Sequence, residues 1–282
     1  MSNGEGTSGA SGWADRPGCF VGAQPWVHEQ VRKGLTDMSQ FLTEVRQTLV
    51  PDRSDRFGPL PPLFIALTFV TGLVDASSYL MLGHVFVANM TGNVVFLGFA
   101  IAGAHGFSIA ASLTALVSFG AGSVIGGRIV ARQSPHRGRH LAMAMTVQSA
   151  FLAIAVVLAF VSANPPQSAF RYALIVVLSL ATGGQNANAR KLAVPELTTT
   201  VLTMTVTGIG ADSALGGGQG SKSGRRLLSI AAMFIGALEG AVLVIHTGIA
   251  PPLTIALAIT VLVGLTSYVA GRSDPPWTRT DG

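Results

Sequence analysis

Between Arg56 and Arg128 the chain carries one charged side chain, Asp75, and several later stretches are nearly as bare. A bilayer span needs ~20 mostly apolar residues. From residue 62 onward such windows follow in quick succession, with full-length candidates at 62–83, 106–130, 140–162, 168–188, 226–247 and 249–271. Only 11% of the residues are charged, against ~25% in a soluble domain, so the chain cannot cover a water-facing surface of its size with polar groups. The sequence reads as an all-α integral membrane protein. Its 34 glycines and 14 prolines exclude a simple coiled coil. Cys19 alone excludes a disulfide framework or a cysteine-based metal site.

Two further windows decide the topology. Residues 85–103 (VFVANMTGNVVFLGFAIAG) are long enough to cross but contain Asn89, Thr91, Gly92 and Asn93; residues 195–212 (PELTTTVLTMTVTGIGAD) contain six threonines. Lys/Arg in short loops favours the cytoplasm. If all eight windows span, counting from Arg46, nine basic residues fall inside and six outside. If the two polar windows dip in and return, fourteen fall inside and only Arg171 outside. Six full spans with two re-entrant or broken windows is therefore the expected architecture. Both termini are then cytoplasmic, in a bacterial inner membrane, and eight spans is the alternative.

Residues 1–60 read as a cytoplasmic tail, with 1–25 disordered and 26–50 an amphipathic helix. The start lacks the basic and apolar segments of a secretory signal. Val31, Leu35, Met38, Leu42, Val45 and Leu49 form one apolar stripe, opposite Arg32, Lys33, Asp37, Gln40, Glu44 and Gln47. Such a helix can lie on the membrane surface, pair with a copy of itself or pack on its own protein. The transmembrane domain is expected over 61–272, with halves at 62–162 and 167–271 and a cytoplasmic C-terminal tail at 273–282.

The halves echo one another at an offset of about 111 to 115 residues. Asp75-Ala76 lies opposite Asn186-Ala187, Thr91 opposite Thr203, and Gly98 opposite Gly210; Phe119, Gly122 and Gly126 correspond to Phe234, Gly236 and Gly240. Three full spans per half would invert the second half. That is the build of many secondary transporters, whose sites lie near the midplane at interrupted helices.

An ionisable group inside a span costs ~2.5–3.5 kcal/mol on insertion scales and faces the protein interior by default. Asp75 and Glu239 are such groups, and each is a candidate carrier of a coupling proton. Structural hydrogen bonding is the competing role, for Asp75 to the TGN window. Asn89, Thr91, Asn93, Gln185, Asn186, Asn188, Thr199, Thr200 and Thr203 form a neutral polar set that would line one cavity if the halves packed face to face. Interhelical hydrogen bonding is the ordinary alternative. Gly122, Gly126, Gly236 and Gly240 read as helix-packing positions, joining either the two halves or two chains of a homodimer.

The stretch GLVDASSYLMLGHVFVANMTGNVVFLGFA (72–100) resembles the YoaK-like family of bacterial multispanning membrane proteins. The matching pieces are Gly72, Asp75, Ala76, Tyr79, Phe86 to Asn89 and Thr91-Gly92-Asn93, with a second match at 185–212 through Gln185, Asn186, Thr199, Thr200 and Thr203. The resemblance covers roughly 60–270 and implies about six transmembrane segments, but no substrate or catalytic residues.

Metalloprotease, hydrolase and kinase signatures are absent, and in GGGQGSKSGRR (216–226) Ser221 stands where a phosphate-binding loop requires glycine. That stretch reads as a flexible basic loop. His136 and His140 flank Arg137, Gly138 and Arg139 in an expected loop, whose arginines would repel a metal cation. No cofactor, metal or nucleic-acid partner follows. The expected function is a transporter or permease for a small polar or anionic solute, with Asp75 or Glu239 available for proton coupling; the alternative is a membrane sensor or scaffold.

Overall fold

Prolines open helices here and glycines separate them. Pro61 and Pro62 start one long helix and Pro251 and Pro252 another, where a missing N–H costs nothing. Gly83 and Gly248, both with φ of +91°, follow helices and turn the chain. The computed structural model describes residues 38–50, 56–132, 136–194, 202–212, 223–273 and 276–278. The expected disorder at 1–25, most of the 26–50 helix, Thr199, Thr200 and the loop at 213–222 lie outside these residues.

All the regular elements among the described residues are helices, without a strand. After α1 (38–49) come α2 (Leu60–Met81), α3 (Met90–Ile101), α4 (Ile109–Arg132), α5 (Arg137–Val161), α6 (Ser168–Leu192), α7 (Leu202–Ala211), α8 (Ser223–Thr247) and α9 (Ala250–Gly271). Five of them (α2, α4, α5, α8 and α9) are long and apolar enough to cross a membrane by length and composition. Helix α6 has 25 residues but carries Thr182, Gln185, Asn186 and Asn188. It is long enough to cross but less apolar than those five.

Contacts between loops trace the chain from end to end of the bundle. Arg137 on α5 donates to the Arg56 carbonyl before α2 at 3.2 Å, and His136 lies 3.2 Å from the Gly271 carbonyl closing α9. The start of α2, the start of α5 and the end of α9 therefore share one end. At the other end Arg171 approaches Gly83, and Asn164 packs on Gly248. Helices α2, α4, α5, α6, α8 and α9 run between these ends.

Helix α2 is interior, with 67% of its apolar window buried, against 28% for α4, α8 and α9. It packs mainly on α8, as α6 packs on α4, while α5 packs on α9. Helix α2 also meets α9 and α6 meets α5, while α3 lies on α4 and α7 on α8. Exchanging α2 with α6, α3 with α7, α4 with α8 and α5 with α9 maps the α5–α9 pairing onto itself and each of the others onto another.

The glycines explain the two closest pairings. A methyl on Gly72 would collide with the Met233 carbonyl, and one on Gly236 with Phe69, so α2 and α8 touch backbone to backbone. A Cβ on Gly240 would lie 2.9 Å from the Leu73 carbonyl oxygen. Across α4 and α6, Gly122 meets Leu180, Gly126 meets Gly184 and Gly183 meets Phe119. Small residues on facing helices permit this approach in lipid, where packing rather than water exclusion drives association. All four glycines singled out in the sequence thus join helices within one chain.

Helix α1 contacts the start of α8 through its polar side. Glu44 accepts from the Gly224 N–H at 3.0 Å and Thr48 is buried beside Arg225. Met38, Leu42 and Leu49 of the apolar stripe remain exposed.

Gly122→Ile and Gly236→Ile should each destabilise the protein by about 1–3 kcal/mol through overpacking, read as a lower thermal midpoint in detergent. Gly120→Ala and Gly127→Ala, with no atom within 4 Å of the added Cβ, should leave the midpoint unchanged or raise it.

Candidate functional site

The 82–89 segment is non-helical beside a buried stretch of α2, and every such backbone group in lipid needs a partner within the protein. Asp75 provides several. It lies on α2 six residues before Met81, ~9 Å in from the helix end at 1.5 Å per residue, and is 3% exposed. Its carboxylate accepts from the N–H groups of Val87 (3.0 Å) and Ala88 (2.9 Å), and from the side-chain amide of Asn89. These bonds hold the start of α3 at the depth of Asp75. The carboxylate's negative charge meets the positive end of the α3 dipole.

Two other side chains complete the cradle. Asn93 Oδ1 accepts from the Phe86 N–H at 2.9 Å and its Nδ2 donates to the Phe86 carbonyl at 2.5 Å. Thr182 of α6 donates to the Val87 carbonyl, tying the segment to the other half of the chain. Beyond α3 the chain returns to its point of entry. The ring of His84 lies 2.9 Å from the Gly106 carbonyl, and Phe107 packs on both His84 and Phe96. The two ends of the 84–106 segment therefore lie together at the same end of the bundle.

In the second half, α7 is a ten-residue helix lying on α8. Asp212, just beyond its end, pairs with Arg226 in the first turn of α8 at 2.7 Å, and Gly208 packs under the same guanidinium. Arg225 and Arg226, expected in a flexible loop, thus belong to α8; Arg226 is buried because a carboxylate waits for it.

The neutral polar set is not gathered around one cavity among the described residues. Asn89 donates to the Asp75 carboxylate and Asn93 pairs with the Phe86 backbone. Gln185 accepts from Gln148 at 2.5 Å and donates to Thr71 at 3.1 Å, and Asn186 donates to the Thr182 carbonyl at 3.0 Å. Thr91 and Thr203 are exposed on α3 and α7. The space beside Gln185, between α4, α5 and α6, is about 20 Å³, room for about one water. Hydrogen bonds between neighbours have closed what the sequence suggested would stay open.

Glu239 is half-buried on α8, with no hydrogen bond or ion pair among the described residues. His140 lies on α5 rather than in a loop and bonds to Asn188 at 2.9 Å, whereas His136 caps the same helix by accepting from the Arg139 N–H. The two imidazoles have separate partners, and among the described residues no group of three metal-ligating side chains forms.

Comparison with known proteins places this arrangement. The family described as "Protein of unknown function (DUF1275)" matches residues 63–266, from the first turn of α2 almost to the end of α9. The chain belongs to the DUF1275 family. It is also 35% identical over 145 residues to the UPF0700 transmembrane protein YoaK of Bacillus subtilis (strain 168), covering 51% of this chain and 63% of that one. No solved structure matches. The DUF1275 match takes in Asp75, α3, Thr182 and the α2–α8 and α4–α6 glycines, and leaves α1 outside.

Sequence reasoning singled out Asp75, Asn89 and Asn93 but not Thr182, Thr71 or Gln148. A signal existed for one pair: Thr71 and Thr182 are separated by the same 111 residues as Asp75 and Asn186. Gln148 carried no comparable mark.

Asp75→Ala removes the acceptor of two backbone N–H groups and one amide, at about 1–3 kcal/mol for each group left buried and unpaired. Hydrogen exchange at residues 86–93 should accelerate strongly, and Thr182→Val should produce a smaller acceleration in the same segment. Unchanged exchange in Asp75→Ala would contradict this account of the cradle.

Proposed function

We propose that this member of the DUF1275 family is a permease for a small polar or anionic solute, built from two inverted halves. Six helices cross the membrane and α3 and α7 dip in from opposite faces. Both termini lie in the cytoplasm of a bacterial cell, the protein being in the inner membrane. The fourteen-to-one bias of Lys/Arg supports that orientation. The exchangeable pairing of the eight helices, with matching glycine contacts in α2–α8 and α4–α6, supports duplication with inversion.

One observation carries the transport reading: a buried carboxylate occupies the backbone N–H groups of Val87 and Ala88, in the non-helical turn that leads into the short helix α3. Such N–H groups are an anion site, and discontinuous helices form substrate sites in transporters. In this proposal Asp75 is a tethered occupant. Taking up a proton weakens its hold on Val87 and Ala88, a solute oxygen replaces it, and loss of the proton expels the solute. Asn89 and Asn93 border the site, Asn186 is the counterpart of Asp75 in the other half, and Glu239 is the second candidate for carrying a proton. No catalytic step is involved.

The test is uptake by proteoliposomes under an imposed proton gradient, with a panel of monocarboxylates, dicarboxylates and amino acids. Asp75→Asn keeps an oxygen to accept from Val87 and Ala88, and Asn89 can turn its amide to match, so the variant should fold. Uptake should be lost while folded protein is retained. Wild-type uptake in Asp75→Asn, or equal loss of folded protein and uptake, would remove Asp75 from the transport mechanism.

The sensor or scaffold alternative draws on one feature, the exposed stripe of Met38, Leu42 and Leu49. Met38→Glu with Leu42→Glu should leave uptake unchanged if the protein is a permease, and abolish function if that stripe holds a partner.

A further inference from the structure

Helices α5 and α9 pack closely at one end of the bundle and leave an open groove along their outer side. His136 reaches the Gly271 carbonyl at 3.2 Å, and Ser267 donates to the Gly138 carbonyl at 3.0 Å. The groove begins beside these contacts, at Arg139 on α5 and Tyr268 on α9, and extends to Ser149 and Val261. Arg139 to Ser149 is ~15 Å along the helix at 1.5 Å per residue. Its volume is about 470 Å³, within the range of ligand sites. Gly264 gives it depth, because the missing side chain brings its backbone close to Met145.

The chemistry of the groove is graded. Its mouth is basic and aromatic: Arg139 lines it, and the guanidinium of Arg272 lies 5.7 Å from the centre of the Tyr268 ring. Its inner part is apolar, through Met143, Val261 and Leu265, with the hydroxyls of Thr146 and Ser149 at its side. Among the described residues no carboxylate lines it. A soluble anion would find charge at the mouth and nothing in the slot. A neutral lipid would fill the slot and bring no charge to the basic mouth.

The geometry points to an anionic phospholipid in this groove, its phosphate between Arg139 and Arg272 and an acyl chain lying along α5 and α9 towards Ser149. Basic sites between transmembrane helices at headgroup level recognise such lipids. The phosphate oxygens accept from the guanidinium groups and from the Tyr268 hydroxyl. The chain fills a slot that straight hydrocarbon fits and a bulky side chain would block. The bound lipid then bridges α5 and α9, one helix from each half. This inference is independent of any transport activity.

Native mass spectrometry tests it on the full chain, released from nanodiscs holding equal phosphatidylglycerol and phosphatidylcholine. The wild type should retain phosphatidylglycerol selectively. Arg139→Gln with Arg272→Gln removes two charges near the membrane surface and should weaken retention roughly thirtyfold. Thr146→Trp, which leaves both arginines, should abolish retention by filling the slot. Size-exclusion profiles and helical content matching the wild type show that both variants are folded. Equal retention of both lipids by the wild type, or undiminished phosphatidylglycerol in either folded variant, would overturn the proposal. A dimer that Thr146→Trp dissociates would overturn it too, making the groove an interface between copies.

Discussion

A backbone that leaves the helix inside hydrocarbon must find its hydrogen bonds within the protein, and the rest of the structure follows from how residues 85–89 meet that requirement. Asp75 satisfies the N–H groups of Val87 and Ala88, Asn93 binds both backbone groups of Phe86, and Thr182 donates to the Val87 carbonyl. These side chains come from α2, from α3 and from α6. The segment can exist only where α2 and α6 lie close together in the interior, where Thr71 and Asp75 of the one and Thr182 and Gln185 of the other are buried. Lipid-facing α4, α8 and α9 can then be plain apolar helices.

Close approach is the second requirement, and glycine supplies it. The α2–α8 and α4–α6 pairs touch through backbone atoms at Gly72, Gly236, Gly183 and Gly122. Each interior helix is clamped against a lipid-facing helix of the opposite half. The polar link from Gln148 through Gln185 to Thr71 crosses the same interior, joining α5, α6 and α2. An interior network of this kind favours one arrangement of the helices, since displacing Gln185 strands buried polar groups on both neighbours. Movement of the halves would have to exchange partners rather than simply break them.

The long helices were legible because a bilayer imposes length and apolarity together. Their ends were less so. Hydropathy stops at a charge, yet α5 begins at Arg137 and α8 contains Arg226, because Arg137 finds the Arg56 carbonyl and the Phe57 ring and Arg226 finds Asp212. Helix α6 was legible as a span in spite of its polar residues, but where those residues point was not. Each of Asn93, Gln185 and Asn186 has a neighbour it can bond, and only three-dimensional packing decides between that neighbour and a cavity. The glycine pairs were visible as small-residue spacing, although nothing in the spacing chose between helices of one chain and helices of two. Asp75 stood out as the lone charge of its region, and the TGN window as its partner, because an isolated carboxylate in lipid and an interrupted helix each need what the other provides.

The claim on which the account turns is that six segments cross while the two polar windows return to their own side. Cysteine accessibility in intact cells tests it most directly, with single cysteines at Ala104, Arg139 and Arg190 on a Cys19→Ser background. The account predicts that a membrane-impermeant reagent labels Ala104 and leaves Arg139 and Arg190 untouched until the membrane is opened. Labelling of Arg139 and Arg190 with protection of Ala104 would mean eight crossings and parallel halves, and would contradict it.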